Sequence, residues 1–243
     1  MKIPRDLLAF AAMAGLTLTV TASSRAQTSS DGSGGTNPTA HSENSERAEH
    51  KHRQVIYTRP TEKLKLHSYL FDAFGPYPIV GAALVAGVNQ AEGTPPEWGG
   101  GAAAYGQRVG SNFGISAIST TTRYALSEVF KEDTLYYRCS CTGFFPRFGH
   151  AIISTVSARR GNDGHRVFSI PSLVAPYVGT MTAAYTWYPD RYNASDAFRM
   201  GNYNLLAILA SNVSMEFLYR GPHSFLSRVH LNNPRAAPEP DDH

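Results

Sequence analysis

The chain has 243 residues, of which 42% are hydrophobic, and a formal net charge of +3. That is enough to bury one sizeable core, so one domain is the default. Residues 1–26 hold three of the 22 basic and one of the 19 acidic residues, so 19 basic and 18 acidic remain beyond them. A balance so near neutral excludes the basic stripe that nucleic-acid binding needs.

Lys2 and Arg5 precede an apolar run from Leu7 to Val20, and Ser24 and Ala26 place small residues where a signal peptidase reads. Residues 1–26 are therefore expected to be a signal peptide cleaved after Ala26, because the run is shorter than the ~20 residues of a membrane span. This places the protein in the periplasm or at the outer membrane. Residues 27–58 are Ser, Thr, Gly, Asn and charge with scarcely an apolar side chain before Val55. They are expected to form a disordered linker. Residues 59–231 are read as a helical domain, and residues 232–243 as a disordered tail.

Within that domain the apolar spacing is mostly helical. "TEKLKLHSYLFDAF" sets Leu64, Leu66, Leu70, Phe71 and Phe74 roughly on one side, and Gly75-Pro76 ends it. "PIVGAALVAGVNQA" is a second, almost wholly apolar segment, too short to cross a bilayer alone.

The stretch from Trp98 to Gly114, "WGGGAAAYGQRVGSNFG", holds six glycines in seventeen residues. The preceding Thr94-Pro95-Pro96-Glu97 has the form of a capping box, which predicts a helix start here. Each interior glycine costs roughly 0.8–1.0 kcal/mol relative to alanine, so six cost on the order of 5 kcal/mol. Gly99, Ala103, Gly106, Gly110 and Gly114 recur at helical spacing. They predict a flat packing face against another backbone. The rival reading is a glycine-rich loop to about Ala104, with the helix beginning near Tyr105.

The helix is expected to stop near Asp133. Further helices are expected from Pro146 to Arg160, from Pro171 with a kink at Pro176, and from a cap at Asn193 or Ser195 to Gly221-Pro222. The sum is an all-α bundle of about five helices. An outer-membrane β-barrel is the alternative, but apolar–polar alternation is hard to sustain for ten residues anywhere.

Signals for chemistry are few. There is no HExxH, no phosphate-cradling loop and no Gly-x-Gly-x-x-Gly, so neither a metal nor a cofactor is expected. Cys139 and Cys141 are too few for a structural zinc, and free thiols or an accidental pair are expected. His150 and Ser154 share a helix face and are the low-ranked candidates for a nucleophilic pair, with no carboxylate near them in sequence to orient the histidine. Glu128, Glu132 and Asp133 ahead of Tyr136, Tyr137 and Arg138 read either as acid–base residues or as a hydrogen-bonded corner. Arg159, Arg160, His165 and Arg166 in "ARRGNDGHRV" are the candidate anion-binding patch, an anionic lipid being one partner it would suit.

"WGGGAAAYGQRVGS", "DTLYYR", "PRFGHAIISTVSARRGNDGHRVF" and "WYPD" follow in that order. The pattern resembles a family of uncharacterised exported bacterial proteins over roughly residues 66–220. The resemblance implies a helical envelope protein and carries no activity. Together these readings point first to a non-enzymatic envelope component working at a membrane surface or against an envelope protein. A hydrolase of an anionic lipid or envelope polymer comes second.

Overall fold

The computed structural model describes residues 57–217, apart from 140 and 142. The signal peptide, most of the linker, the Gly221-Pro222 stop and the tail lie outside the described residues. The described part is mostly helical, an all-α bundle with a small three-stranded sheet, and not a barrel.

Helix α1 runs Glu62–Phe74, with Thr61 Oγ1 accepting from the Leu64 N–H at 3.4 Å. The Gly75 N–H closes it on the Phe71 carbonyl at 2.9 Å, and Pro76 opens α2, Pro76–Ala91. Proline suits this place because the first turn of a helix has no use for its missing N–H.

Helix α3 starts later than the capping signature predicts, at Gly101, and runs to Phe130. The backbone of Pro95 is extended, and Pro96–Trp98 form a 3-10 turn. Two consecutive prolines bias the residue before each away from helical angles. The carbonyls of Thr94 and Pro95 are instead claimed by the fully buried Arg108, at 2.8 and 3.0 Å, and Gln90 Oε1 takes a third bond at 2.6 Å. The helix start therefore falls between the two predicted positions. Lys131, left-handed at φ 58, ends it.

The helix predicted from Pro146 to Arg160 divides in two. Helix α4 is Phe144–Val156, and the chain then enters strand β2, Ser157–Arg160. This pairs antiparallel with β3, His165–Phe168, and with β1, Glu132–Asp133, so the sheet order is β1-β2-β3. Gly161 and Gly164, at φ 76 and 68, make the hairpin turn without strain. The turn chemistry of "RGNDGH" was legible, but it joins two strands.

Helix α5, Ile170–Thr186, is capped by Ser169 and contains the buried Pro176. Helix α6, Ala194–Phe217, follows. Asn193 Oδ1 accepts from the N–H groups of Ser195 and Asp196, and Asp196 Oδ2 accepts in return from the Asn193 N–H at 3.2 Å. Among the described residues these helices, with α1 and α2 parted only at Gly75, make the expected bundle of about five. α3 lies at the centre, against α1 and α2 on one side and α5 on the other, with α6 and then α4 beyond α5.

The predicted glycine stripe is not an intramolecular packing face. A side chain at Gly106 or Gly110 would meet nothing within 4 Å, Ala103 is exposed, and Gly99 precedes the helix. Gly114 alone faces a neighbour, the Trp187 ring at 3.5 Å. The buried face of α3 is Ala104, Arg108, Ser111, Ile115 and Ser119, about a third of a turn round the helix. The close approach occurs where α5 presents Gly179, whose added Cβ would collide with Ser119 Oγ and lie 2.7 Å from the Ile115 carbonyl oxygen.

Gly179→Ala is therefore expected to lower stability by about 1–3 kcal/mol through overpacking. Gly110→Ala should raise it by up to about 0.8–1.0 kcal/mol through helix propensity. Thermal melts of both variants beside the parent decide this. A Gly179→Ala variant as stable as the parent would mean that the α3–α5 contact is not tight.

Candidate functional site

The polar residues that sequence reasoning singled out gather where the small sheet meets α3, α4, α5 and α6. Glu132 and Asp133 turn inward at the end of α3, and both are buried. Asp133 Oδ2 accepts from the hydroxyls of Tyr57 and Tyr137, and Oδ1 from the Leu135 N–H at 2.9 Å. Glu132 Oε2 accepts from Ser169 Oγ at 2.6 Å. This is a hydrogen-bonded corner. Burial and the Asp133 carboxylate push the Tyr57 and Tyr137 hydroxyls up, so both remain donors.

Arg159 is buried beside the same corner. It donates to the Gly164 carbonyl at 2.8 Å and lies over the rings of Tyr57 and Tyr137 at 5.7 and 5.8 Å. Arg160 and His165, its companions in the predicted anion patch, are exposed on the hairpin, where His165 meets Asp163 at 2.9 Å. Strand alternation causes the split, since successive side chains leave opposite faces. Arg159 thus parts from Arg160, and Arg166 turns inward towards α4.

A second network is centred on Glu216, a wholly buried carboxylate near the end of α6. Its Oε1 accepts from Tyr136 Oη at 2.8 Å, the Cys139 N–H at 3.1 Å and His150 Nδ1 at 2.9 Å. Its Oε2 lies 3.7 Å from Arg147 Nε. Burial opposes its charge, but the hydrogen bonds from His150, Cys139 and Tyr136 outweigh that and hold the carboxyl below its usual range. Cys139 and Cys141 form a disulfide, with Cα atoms 5.2 Å apart, the paired one of the two expected states.

His150 Nε2 faces two groups, Ser154 Oγ at 3.3 Å and Arg166 NH2 at 2.8 Å. A guanidinium only donates, so Nε2 must be the accepting nitrogen and the proton sits on Nδ1, towards Glu216. Glu216, His150 and Ser154 therefore line up as a carboxylate, an imidazole and a hydroxyl. The expectation that His150 has no orienting carboxylate is corrected. Its partner is 66 residues away in sequence and arrives on a different helix.

The arrangement is nonetheless a poor nucleophile device. The shorter contact, from Arg166, occupies the lone pair that would take the Ser154 proton. Ser154 also sits in the last turn of α4, where the neighbouring backbone N–H groups are spent on helix bonds and no oxyanion hole forms. No group of three or more metal-ligating side chains occurs among the described residues.

Sequence reasoning missed Glu216, Lys65, Arg108 and Arg123. Glu216 left one signal, as the single carboxylate between Asp196 and Glu239. Lys65 is fully buried on α1 and pairs with Glu128 at 3.1 Å. Compared with known protein families, with curated proteins and with solved structures, the chain matches none.

Glu216→Gln should lower stability by about 1–3 kcal/mol, because its charge-assisted bonds weaken while their donors stay buried. The folded carboxyl titrates below its unfolded value of about 4.3, so its contribution is full above that pH and fades as pH falls through the folded value. The difference between parent and variant in thermal melts should be constant near neutrality and shrink on acidification below about pH 4. A constant difference down to the lowest pH would separate the effect from ionisation.

Proposed function

We propose that this protein is a non-enzymatic, membrane-associated component of the cell envelope, with much of its helical surface in contact with lipid. What supports the reading is an inverted polarity. The buried hydrophobic residues are nine alanines and Ile115, while Lys65, Arg108, Glu132, Asp133, His150, Arg159 and Glu216 lie inside. Twenty-one large hydrophobic side chains among the described residues are exposed, among them Leu84, Val129, Phe145 and Phe168.

Covering half of one such side chain is worth on the order of 1 kcal/mol, so leaving all of them in water forgoes roughly 20 kcal/mol. That exceeds the 5–15 kcal/mol by which ordinary domains are stable. Scattered exposed apolar residues need no explanation, but α1, α2, α4 and the start of α5 carry them in contiguous runs. Helices α1 and α2 together, Glu62–Ala91, reach a mean hydropathy of 1.4 in their most apolar 18-residue window, little of it buried. Lipid removes the cost, and paired charges inside are what a lipid-facing bundle tolerates. Small interior residues with close backbones fit the same environment. The export expected from residues 1–26 supports an envelope location for this surface.

The expected outcome on cell fractionation is protein in the membrane pellet that resists high salt and comes out with detergent. A soluble, monodisperse protein in detergent-free buffer would overturn the reading.

A hydrolase is the second reading, favoured by the Glu216–His150–Ser154 alignment alone. Because Arg166 holds the histidine lone pair in the parent, and helical Ser154 has no oxyanion hole in either protein, neither the parent nor Arg166→Gln is expected to hydrolyse nitrophenyl acyl esters in a Ser154-dependent way. Turnover that Ser154→Ala abolishes without loss of melting temperature would promote this reading over the first.

A further inference from the structure

A cavity of about 60 Å³ lies between the hairpin and helices α3 to α6. Its lining carries three guanidinium groups, Arg123, Arg159 and Arg166, against one carboxylate, Asp133. The carboxylate is already committed to two tyrosine hydroxyls and a backbone N–H. Arg159 is engaged by the Gly164 carbonyl and two rings, and Arg166 by His150.

Arg123 differs from both. Its Nε is buried without an acceptor, and a terminal nitrogen reaches the Thr134 carbonyl only at 3.4 Å. Asp72, Glu132 and Asp133 act on it through space. Among the described residues none of them lies within ion-pair distance of it. A buried donor left unsatisfied is rare in a native fold. A buried cation without a close counter-charge is rarer still.

One more donor lines the same space. The Asn212 amide spends one hydrogen on Thr155 and keeps the other. Arg123 and Asn212 come from α3 and α6, with the charge of Arg166 on β3 as a third direction. Donors converging from several sides suit a tetrahedral oxyanion, whereas a planar carboxylate is held from one side by a single fork. The space holds several water molecules, at about 10–15 Å³ for each.

We infer that this cavity binds a phosphate-class oxyanion, with the Nε–H of Arg123 as its principal donor and Asn212 and the charge of Arg166 completing the site. The phosphate belongs either to a lipid head group or to a free phosphate. The inference stands apart from the membrane reading, because binding in detergent solution does not need a bilayer.

The test titrates inorganic phosphate into detergent-solubilised full-length protein by calorimetry, with chloride at matched ionic strength as reference. Saturable binding is expected for the parent and for Arg160→Gln, whose side chain is exposed on the hairpin. Arg123→Gln should bind at least tenfold more weakly. Absence of saturable binding by the parent would mean that water fills the cavity, and would overturn the inference. Unchanged affinity in Arg123→Gln would do the same. If Arg123→Gln does not fold, Asn212→Ala decides: a several-fold loss is expected, and full affinity refutes the site. In a second arm, the parent is mixed with phosphatidylcholine vesicles with and without phosphatidic acid. Preference for phosphatidic acid that inorganic phosphate competes away assigns the site to a head group. Phosphate binding with no such preference assigns it to the free ion.

Discussion

The contact between α3 and α5 has no spare volume, and the rest of the architecture follows from that. Gly179 sits where a side chain would strike Ser119 and the Ile115 carbonyl, and its neighbours Ala175, Ala183 and Ala184 are equally small. An interior built from such residues brings backbones together but holds almost no large apolar side chains. The leucines, isoleucines and phenylalanines of the same helices must then point outwards. In water that arrangement works against the hydrophobic term that stabilises ordinary domains. In lipid it costs little, and packing, hydrogen bonds and close backbones carry the association instead.

Buried charge takes the place that large apolar residues fill elsewhere. Lys65 ties α1 to the end of α3 through Glu128. Arg108 ties α3 to the turn after α2 through two carbonyls and Gln90. Glu216 ties α6 to α4 and to the segment between β1 and α4. Each charge meets several partners, as it must where an unpaired one would cost several kcal/mol. The interactions therefore specify which helices meet, a role that shape-matched side chains usually perform. Removing one partner is more damaging here than the net worth of the pair suggests.

The short sheet changes what the chain can do with its arginines. As a continuous helix, residues 157–160 would have spread Arg159 and Arg160 over one outer surface. As a strand, they divide between inside and outside, and the hairpin returns Arg166 to His150. This creates the cationic lining of the cavity and sets a donor against His150 Nε2, which leaves the Nδ1 proton facing Glu216. The same Arg166 contact that suits an anion site works against base catalysis at His150.

Much of the fold is legible in the sequence by itself. Apolar spacing of 3.6 residues, Thr61 and Asn193 as caps, and the breaks at Gly75-Pro76 and Gly161 are local signals, and local backbone preferences decide them. The tightness of the packing was also legible in the number of small residues. Which of them do the packing was not, because Gly106 and Gly179 look alike until a neighbour is placed beside each. The capping signature at Thr94 failed because a buried arginine fourteen residues on claimed its carbonyl. The hairpin was hidden because "SARR" carries no strong propensity until it pairs with "HRVF" on one side and Glu132-Asp133 on the other. Glu216 lies 66 residues from the histidine it orients. Only folding brings such groups within hydrogen-bonding distance, since no spacing in a sequence encodes a contact between separate helices.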